Sequence, residues 1–191
     1  MKDGKRAAAA PGDHVCPWWL AFTFDNVLRR VFHKPEVILG GLVREGQTVL
    51  DLGCGMGYFS IGMARLVGET GTVISADLQP QMLAQVRRRS AKAGLAGRVK
   101  THLCERDRIG LESPVDFALA FWMVHEVPDH AALFRELHAL LEPSGSLVVV
   151  EPRLHVRAEA MAQTERAAES AGFRLSARPK VSLSRTALFS R

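Results

Sequence analysis

Short apolar runs alternate with longer amphipathic segments from Thr48 onward, and this alternation limits the fold of the chain more than any other feature. Strands that are buried on both faces read as continuous apolar runs, whereas the helices that cover them have one apolar face. A chain in which strands and helices alternate builds a mainly parallel sheet with helices on both sides. The predicted fold class is therefore α/β, a three-layer sandwich.

Seven segments have the composition of strands. The first five are expected to be central and buried, while the last two leave no room for a crossover helix between them and must be antiparallel. The predicted sheet is thus seven-stranded and mostly parallel, with an antiparallel last strand. Its strands are 48–52, 72–76, 99–103, 116–121, 147–150, 173–178 and 185–190.

Helical periodicity fills the gaps between these strands. Pro80 suits a first helical turn, and Asp129 can cap the start of the clearest helix, which the Glu-Pro-Ser-Gly segment 142–145 is expected to end. The predicted helices are 58–67, 80–94, 129–141 and 157–171.

The length of 191 residues and an apolar content of 47% suit one compact domain, which we place at residues 37–191. Residues 1–36 are expected to form a flexible segment and an aromatic-rich lid. Alternatively, these aromatic side chains cover one edge of the core. They include Trp18, Trp19, Phe22 and Phe24.

Composition also limits the cellular location and the bound groups that we expect. No apolar run reaches the roughly 18 to 20 residues of a membrane-spanning helix, and the first residues do not have the pattern of a signal peptide. Three scattered cysteines, Cys16, Cys54 and Cys104, do not make a disulfide framework. We expect a cytoplasmic monomer or homodimer without a membrane span. No metal is predicted, although His14 and Cys16 leave open a metal or metalloid role.

The segment 49–57 places Gly53, Gly55 and Gly57 between a buried strand and a helix. Glycine there permits positive φ and close approach of a ligand, and the amides of the helix start favour a negatively polarised group. Asp77 follows the next strand, where an acidic side chain can accept hydrogen bonds from both ribose hydroxyls. Asp51 would repel a pyrophosphate but could hold an ammonium group. These features favour an adenosyl amino acid over a dinucleotide.

The chain from Val37 onward resembles the class I S-adenosylmethionine-dependent methyltransferases. The loop 51–57 looks like the first motif of that family and Asp77 like its ribose-binding acid, while Glu105 stands where the family usually has an aspartate near the adenine. The resemblance implies S-adenosylmethionine as cofactor and S-adenosylhomocysteine as product. The cofactor-binding residues that it implies are Asp51, Gly53, Cys54, Gly55, Gly57, Asp77, Leu78, Glu105 and Phe121.

Methyl transfer from a sulfonium needs mainly alignment and a dry pocket. If the acceptor must lose a proton, His125 and Glu126 are the candidate catalytic residues, since they follow the fourth strand. The aromatic N-terminal segment favours a small, partly apolar or aromatic acceptor.

Three alternatives stay open from the sequence. The cluster Arg87 to Arg89 would suit an RNA methyltransferase, although a helix with Met82, Leu83 and Val86 on its buried side explains it as a solvated face. The second alternative is a non-catalytic S-adenosylmethionine-binding protein. The third, a nicotinamide-dependent oxidoreductase, is disfavoured by the glycine spacing and Asp51.

Overall fold

One sheet of seven strands organises the chain, which this computed structural model describes over residues 32–191. The spatial order is β3-β2-β1-β4-β5-β7-β6, in which β7 runs antiparallel to both of its neighbours and the other pairs that share a ladder are parallel. The strands are β1 (Thr48–Leu52), β2 (Thr72–Asp77), β3 (Val99–Leu103), β4 (Val115–Phe121), β5 (Leu141–Pro152), β6 (Arg174–Ala177) and β7 (Ser184–Ser190).

Five α-helices in the described range cover the two faces of this sheet. Proline stands in the first turn of α1 and α3, where its missing N–H costs nothing, and the Asp129 side chain caps α4 by accepting a hydrogen bond from Ala132 N at 2.8 Å. The helices are α1 (Pro35–Leu39), α2 (Tyr58–Leu66), α3 (Pro80–Lys92), α4 (His130–Leu140) and α5 (Ala158–Ser170), with a short 3-10 turn at Val124–Glu126.

Two large apolar clusters hold the layers together, and a small third one lies under α3 at Leu83 and Val86. Helices α4 and α5 cover one face of the sheet, where Phe134 packs near Phe173 and Phe189. Helices α1 and α2 cover the other face, where Phe59 and Met63 lie against the central strands. The predicted α/β three-layer sandwich is therefore confirmed, including the antiparallel last strand. The prediction that all of the first five strands are central and buried is wrong for β3, which lies at the edge of the sheet and has no fully buried residue, because it pairs with β2 alone.

The predicted boundaries need one correction. Strand β5 begins at Leu141, not near Leu147, because Leu141 already pairs with Val115. The register then shifts before the next pair, Phe117 with Ser146, so the segment 142–145 lies within an irregular strand start and not in a separate turn. The helix itself ends at Leu140, as the sequence predicted within one residue.

The predicted lid lies outside the described residues, except for its last few positions, Phe32 to Glu36. The same holds for Cys16, His14 and the four aromatic residues assigned to the lid. Among residues 32–191, no helix is long and apolar enough to cross a membrane.

Truncation of Phe134 tests the packing of the layer under α4. Phe134 is fully buried between α4 and the sheet, so Phe134→Ala is expected to lower the free energy of unfolding by about 3–5 kcal/mol through lost burial and a residual cavity. Urea denaturation with an unchanged m-value would measure it. The control Val37→Ala, at a side chain that is 79% exposed, should change stability by less than about 0.5 kcal/mol. Equal effects of the two substitutions would contradict this packing.

Candidate active site

The carboxyl ends of β1, β2 and β4 meet at one edge of the sheet, because the three strands are parallel and adjacent. The loops that leave these ends surround a cavity of about 620 Å³, hereafter the first cavity. This volume falls in the range of about 300–1,000 Å³ that is typical of small-molecule sites. Five of the predicted cofactor residues line it, together with Glu126: Gly53, Gly55, Asp77, Leu78 and Glu105.

The glycine loop between β1 and α2 requires glycine at each of its three positions. Gly53, Gly55 and Gly57 all have positive φ, at 66°, 52° and 81°. A Cβ on Gly53 would lie 2.8 Å from the Met123 side chain, and one on Gly57 would lie 3.0 Å from Val86. By contrast, nothing lies within 4 Å of a Cβ on Gly55, which borders the first cavity. The loop thus leaves room for a ligand against the backbone at Gly55.

Asp77 ties the end of β2 to this loop. One carboxylate oxygen accepts a hydrogen bond from Gly55 N at 2.9 Å, and the other accepts one from Gln79 N at 2.9 Å. Burial raises the pKa of Asp77, while the hydrogen bonds from the backbone of Gln79, Gly55 and Leu78 oppose this rise. The carboxylate therefore sits at the rim of the first cavity with both oxygens already oriented.

Asp51 lies deeper than the sequence suggested. Its side chain is buried and does not line the first cavity, and one carboxylate oxygen accepts a hydrogen bond from Ser60 Oγ at 2.5 Å. Ser60 in turn accepts a hydrogen bond from Ser75 Oγ at 2.8 Å. This arrangement links β1, α2 and β2 below the glycine loop, so Asp51 supports the loop from behind.

The first cavity is acidic. Six carboxylates and two guanidinium groups line it, so its net charge is negative although the whole chain is basic. Such a lining favours a cationic ligand and disfavours a pyrophosphate. The carboxylates belong to Asp77, Glu105, Asp107, Glu126, Asp129 and Glu136, and the guanidinium groups to Arg106 and Arg108.

Glu136 holds one wall of this cavity, a role that the sequence did not indicate. Its two carboxylate oxygens accept hydrogen bonds from Ile109 N at 2.9 Å and Gly110 N at 2.7 Å. The loop after β3 is thereby fastened to α4, and Glu105 is presented on that loop. Only a contact between residues about 26 positions apart creates this support, so helical periodicity alone could not reveal it.

Apolar side chains form the rest of the lining. Trp122, Met123 and Val127 follow β4, and Met82 and Leu133 come from α3 and α4. Trp122 has a φ of 59°, a left-handed conformation that a bulky residue rarely adopts. Its indole N–H donates to Ser184 Oγ at 3.0 Å, which fixes the ring at the cavity wall.

Three predicted cofactor residues lie outside the lining of the first cavity, besides Asp51. Cys54 and Gly57 belong to the loop but pack toward α3, and Phe121 is buried against Phe59, with ring centroids 4.3 Å apart. The structure therefore brings together the middle of the glycine loop and the end of β2, and leaves Phe121 in the core beneath the site.

His125 is paired with a buried carboxylate. Its Nδ1 lies 2.5 Å from Glu151 Oε2, and its backbone N–H donates to Glu151 Oε1 at 3.3 Å. Burial lowers the pKa of His125, but the hydrogen bond to Glu151 and the charges of Glu151 and Glu126 outweigh burial and raise it. His125 does not line the first cavity, whereas the adjacent Glu126 does.

The two described cysteines are poor candidates for soft-ligand chemistry. Burial, followed by the charges of Asp51 and Asp77, raises the pKa of Cys54 well above its usual value. Burial and the charges of Asp77 and Glu136 raise the pKa of Cys104 to about 12. Both thiols therefore stay protonated near neutral pH and bind metals weakly. Within residues 32–191, no three histidine, cysteine or carboxylate side chains cluster as a metal site.

The arginine cluster on α3 is partly engaged within the domain. Arg87 donates to Thr101 Oγ1 at 2.9 Å, and Arg89 donates to the Met56 carbonyl at 3.2 Å. Two of the three guanidinium groups thus fasten α3 to neighbouring segments, which weakens the case for a free nucleic-acid patch.

Comparisons with known proteins agree with this architecture. A family model described as a methyltransferase domain matches residues 44–178. The ubiquinone/menaquinone biosynthesis C-methyltransferase UbiE of Citrobacter koseri is 34% identical over 110 residues, which are 57% of this chain and 44% of that protein. The chain thus spans less than half the length of this curated relative, and the same shares apply to the UbiE protein of Escherichia coli.

Solved structures share the fold. A SAM-dependent methyltransferase from Aquifex aeolicus superposes with a TM-score of 0.82 at 24% identity, over 91% of this chain and 97% of that one. Fibrillarin from Aeropyrum pernix, crystallised with natively bound S-adenosyl-L-methionine, gives 0.62 at 14% identity, over 76% and 67% of the two chains.

Replacement of Glu151 tests the histidine pair. In Glu151→Gln, burial of His125 remains while the carboxylate charge is removed, so the pKa of His125 is expected to fall. Histidine NMR titration would measure it, with His125→Gln identifying the resonance. The control Glu126→Gln removes a more weakly acting charge and should lower the pKa less. An unchanged pKa in Glu151→Gln would contradict the pairing.

The same pair predicts a pH dependence of stability. Because the folded-state pKa of His125 is raised, its stabilisation is fully present below the ordinary pKa of 6.5 and disappears as pH rises through the raised value. The difference in free energy of unfolding between wild type and Glu151→Gln should therefore shrink above that pH. Denaturant titrations across this range would measure it, and a constant difference would show that protonation of His125 does not contribute.

Proposed function

The chain belongs to the methyltransferase domain family, and from this membership we propose that it transfers a methyl group from S-adenosylmethionine to a small, partly apolar acceptor. One observation carries the proposal: an acidic cavity of about 620 Å³ opens beside a glycine loop whose middle position has free space at its Cβ. A non-catalytic S-adenosylmethionine-binding protein would use the same loop, so an activity assay must accompany any binding test.

The residues present fit this cofactor. The Gly55 backbone lets a ligand approach closely, and the Asp77 carboxylate stands at the rim, where it can accept hydrogen bonds from ribose hydroxyls. The negative lining complements a sulfonium and an ammonium group. Leu78 and Glu105 border the same space and are proposed to contact the adenine end. Asp51, Cys54, Gly57 and Phe121 are proposed to support this site from behind its lining.

The bound cofactor supplies an activated methyl group on a positively charged sulfur, so no general acid is needed for the leaving group. The protein orients the acceptor and excludes water. Trp122, Met123 and Val127 provide an apolar wall for this purpose. We assign proton acceptance to Glu126, which lines the cavity, and we assign to His125, held by Glu151, the positioning of the turn that carries Glu126.

A small acceptor fits better than RNA. The carboxylates that line the first cavity would repel a phosphate backbone, and the apolar side chains beside them suit a partly apolar acceptor. Arg87 and Arg89, which could bind phosphates, are engaged in contacts within the domain. The curated relatives are named for the biosynthesis of ubiquinone and menaquinone. By analogy with them, an aromatic or quinone-like ring is the proposed acceptor class.

Calorimetric titration with S-adenosylmethionine, S-adenosylhomocysteine and NADH tests the cofactor. The first two are expected to bind and NADH is not. Asp77→Asn should weaken S-adenosylmethionine binding about 10- to 150-fold, because a charge-assisted hydrogen bond is worth about 1.5–3 kcal/mol. The control Asp107→Asn removes an equal charge from an exposed position in the same cavity and should weaken binding much less. Equal affinities of the two variants would defeat the ribose assignment, and binding of NADH alone would overturn the proposed function.

A further inference from the structure

A second cavity, of about 630 Å³, lies between the first half of α5 and the segment 178–186. Its lining has the opposite charge to that of the first cavity. Four basic side chains and one carboxylate contribute to it: Arg153, Arg178, Lys180, Arg185 and Glu165. The comparisons with known proteins leave this cavity unassigned, and the proposed transfer reaction does not use it.

Two of the arginines are held in place by the backbone. Arg153 Nε donates to the Ser184 carbonyl at 2.9 Å, and Arg185 Nε donates to the Val156 carbonyl at 3.0 Å. Each guanidinium group has five N–H donors, and these bonds use one. The terminal nitrogens of both have no hydrogen-bond partner within residues 32–191. They are therefore oriented but still available to an acceptor.

The remaining charges leave an excess of cations. Arg178 forms two hydrogen bonds with the Glu165 carboxylate, at 3.0 and 2.7 Å, so this pair is neutral as a unit. Lys180 is exposed, and none of the described side chains forms an ion pair or hydrogen bond with it. Arg153, Lys180 and Arg185 thus contribute three positive charges that no carboxylate of the lining offsets.

A buried hydroxyl in the lining also has an unused hydrogen-bonding capacity. Thr186 is only 6% exposed, and its Oγ1 has no hydrogen-bond partner among the described residues. Such a group ordinarily costs about 1–3 kcal/mol if nothing binds it. Ala158, in the first turn of α5, borders the same cavity, and no side chain caps the start of that helix. An anion placed here would lie near this hydroxyl and the start of α5 as well as near the cations.

From these contacts we infer that the second cavity is an anion-binding site for the phosphate or carboxylate group of a small molecule. Guanidinium groups recognise both groups through paired hydrogen bonds. The volume exceeds that of a bare phosphate, so it has room for the organic part of the same molecule. The inference does not rest on the proposed methyl transfer, since anion binding is measurable without any cofactor.

Inorganic phosphate is the first probe. We expect its addition to the full chain, at constant ionic strength maintained with chloride, to shift the backbone amide NMR signals of residues 153, 158–160 and 180–186 in a saturable way. Lys180→Gln should weaken this binding about threefold, as expected for one exposed charge. Thr186→Val should weaken it about tenfold, the lower end of the effect of one hydrogen bond to a charged acceptor, without lowering the stability of the free protein.

Two matched variants control for general effects. Lys100→Gln removes the same charge on β3, at the far edge of the sheet, and Thr72→Val makes the same change at the start of β2. Both should leave phosphate binding unchanged. The inference is overturned if phosphate causes no saturable shifts, or if Lys180→Gln and Thr186→Val bind phosphate as tightly as their controls.

A second pair of probes identifies the source of the anion. Phenyl phosphate and phenol differ only in the acidic group. If the anion belongs to a larger ligand that reaches the first cavity, phenyl phosphate should also shift the amides of Met123 and Val127, whereas phenol should not affect residues 180–186. If the site takes a separate anion, phenyl phosphate and inorganic phosphate should shift the same amides. Both results support the site, and failure of S-adenosylmethionine to bind would leave either result intact.

Discussion

The parallel ladders on both sides of β1 are the constraint on which the rest of the structure depends. They place Leu52 beside Ala76 of β2 and Ala120 of β4, so all three strands end at the same edge. The chain must then return over a face of the sheet to begin each new strand, which calls for the covering helices. The loops that follow these three strand ends therefore lie side by side at this edge. The glycine loop, Asp77 and the turn after β4 are consequently neighbours, although they come from distant parts of the sequence.

The two cavities have nearly equal volumes but linings of opposite charge. Although the chain is basic overall, six carboxylates and two arginines line the first cavity, whereas four basic side chains and one carboxylate line the second. Carboxylates that face one space raise its negative potential, which only a ligand of the opposite sign relieves. The contrast therefore carries more information about ligands than the overall charge of +5, from which the sequence suggested only a weak nucleic-acid patch.

Local patterns predicted the sheet, its helices and the middle of the site. Buried apolar runs predict β1, β2 and β4 almost to the residue, and the bounds of β3 are also correct although it is a partly exposed edge strand. Asp129 is predictable as a cap because capping acts over three positions. Contacts between distant residues were not predictable. Glu136 accepts a hydrogen bond from Gly110, 26 positions away, and Glu151 at the end of β5 pairs with His125 after β4. The early start of β5 also depends on a partner, Val115, since a segment containing proline and glycine has no strand signal of its own.

The hydrogen bond from Trp122 to Ser184 has a thermodynamic consequence. Trp122 belongs to the wall of the first cavity and Ser184 to that of the second, so one bond forms part of the partition between them. Any occupant that moves the indole changes the surroundings of the other occupant. Linkage then requires that the influence be mutual: whatever factor one ligand imposes on the affinity of its neighbour, the neighbour imposes in return. If a ligand of the first cavity displaces the indole, this one hydrogen bond would couple its binding to that of a ligand in the second cavity.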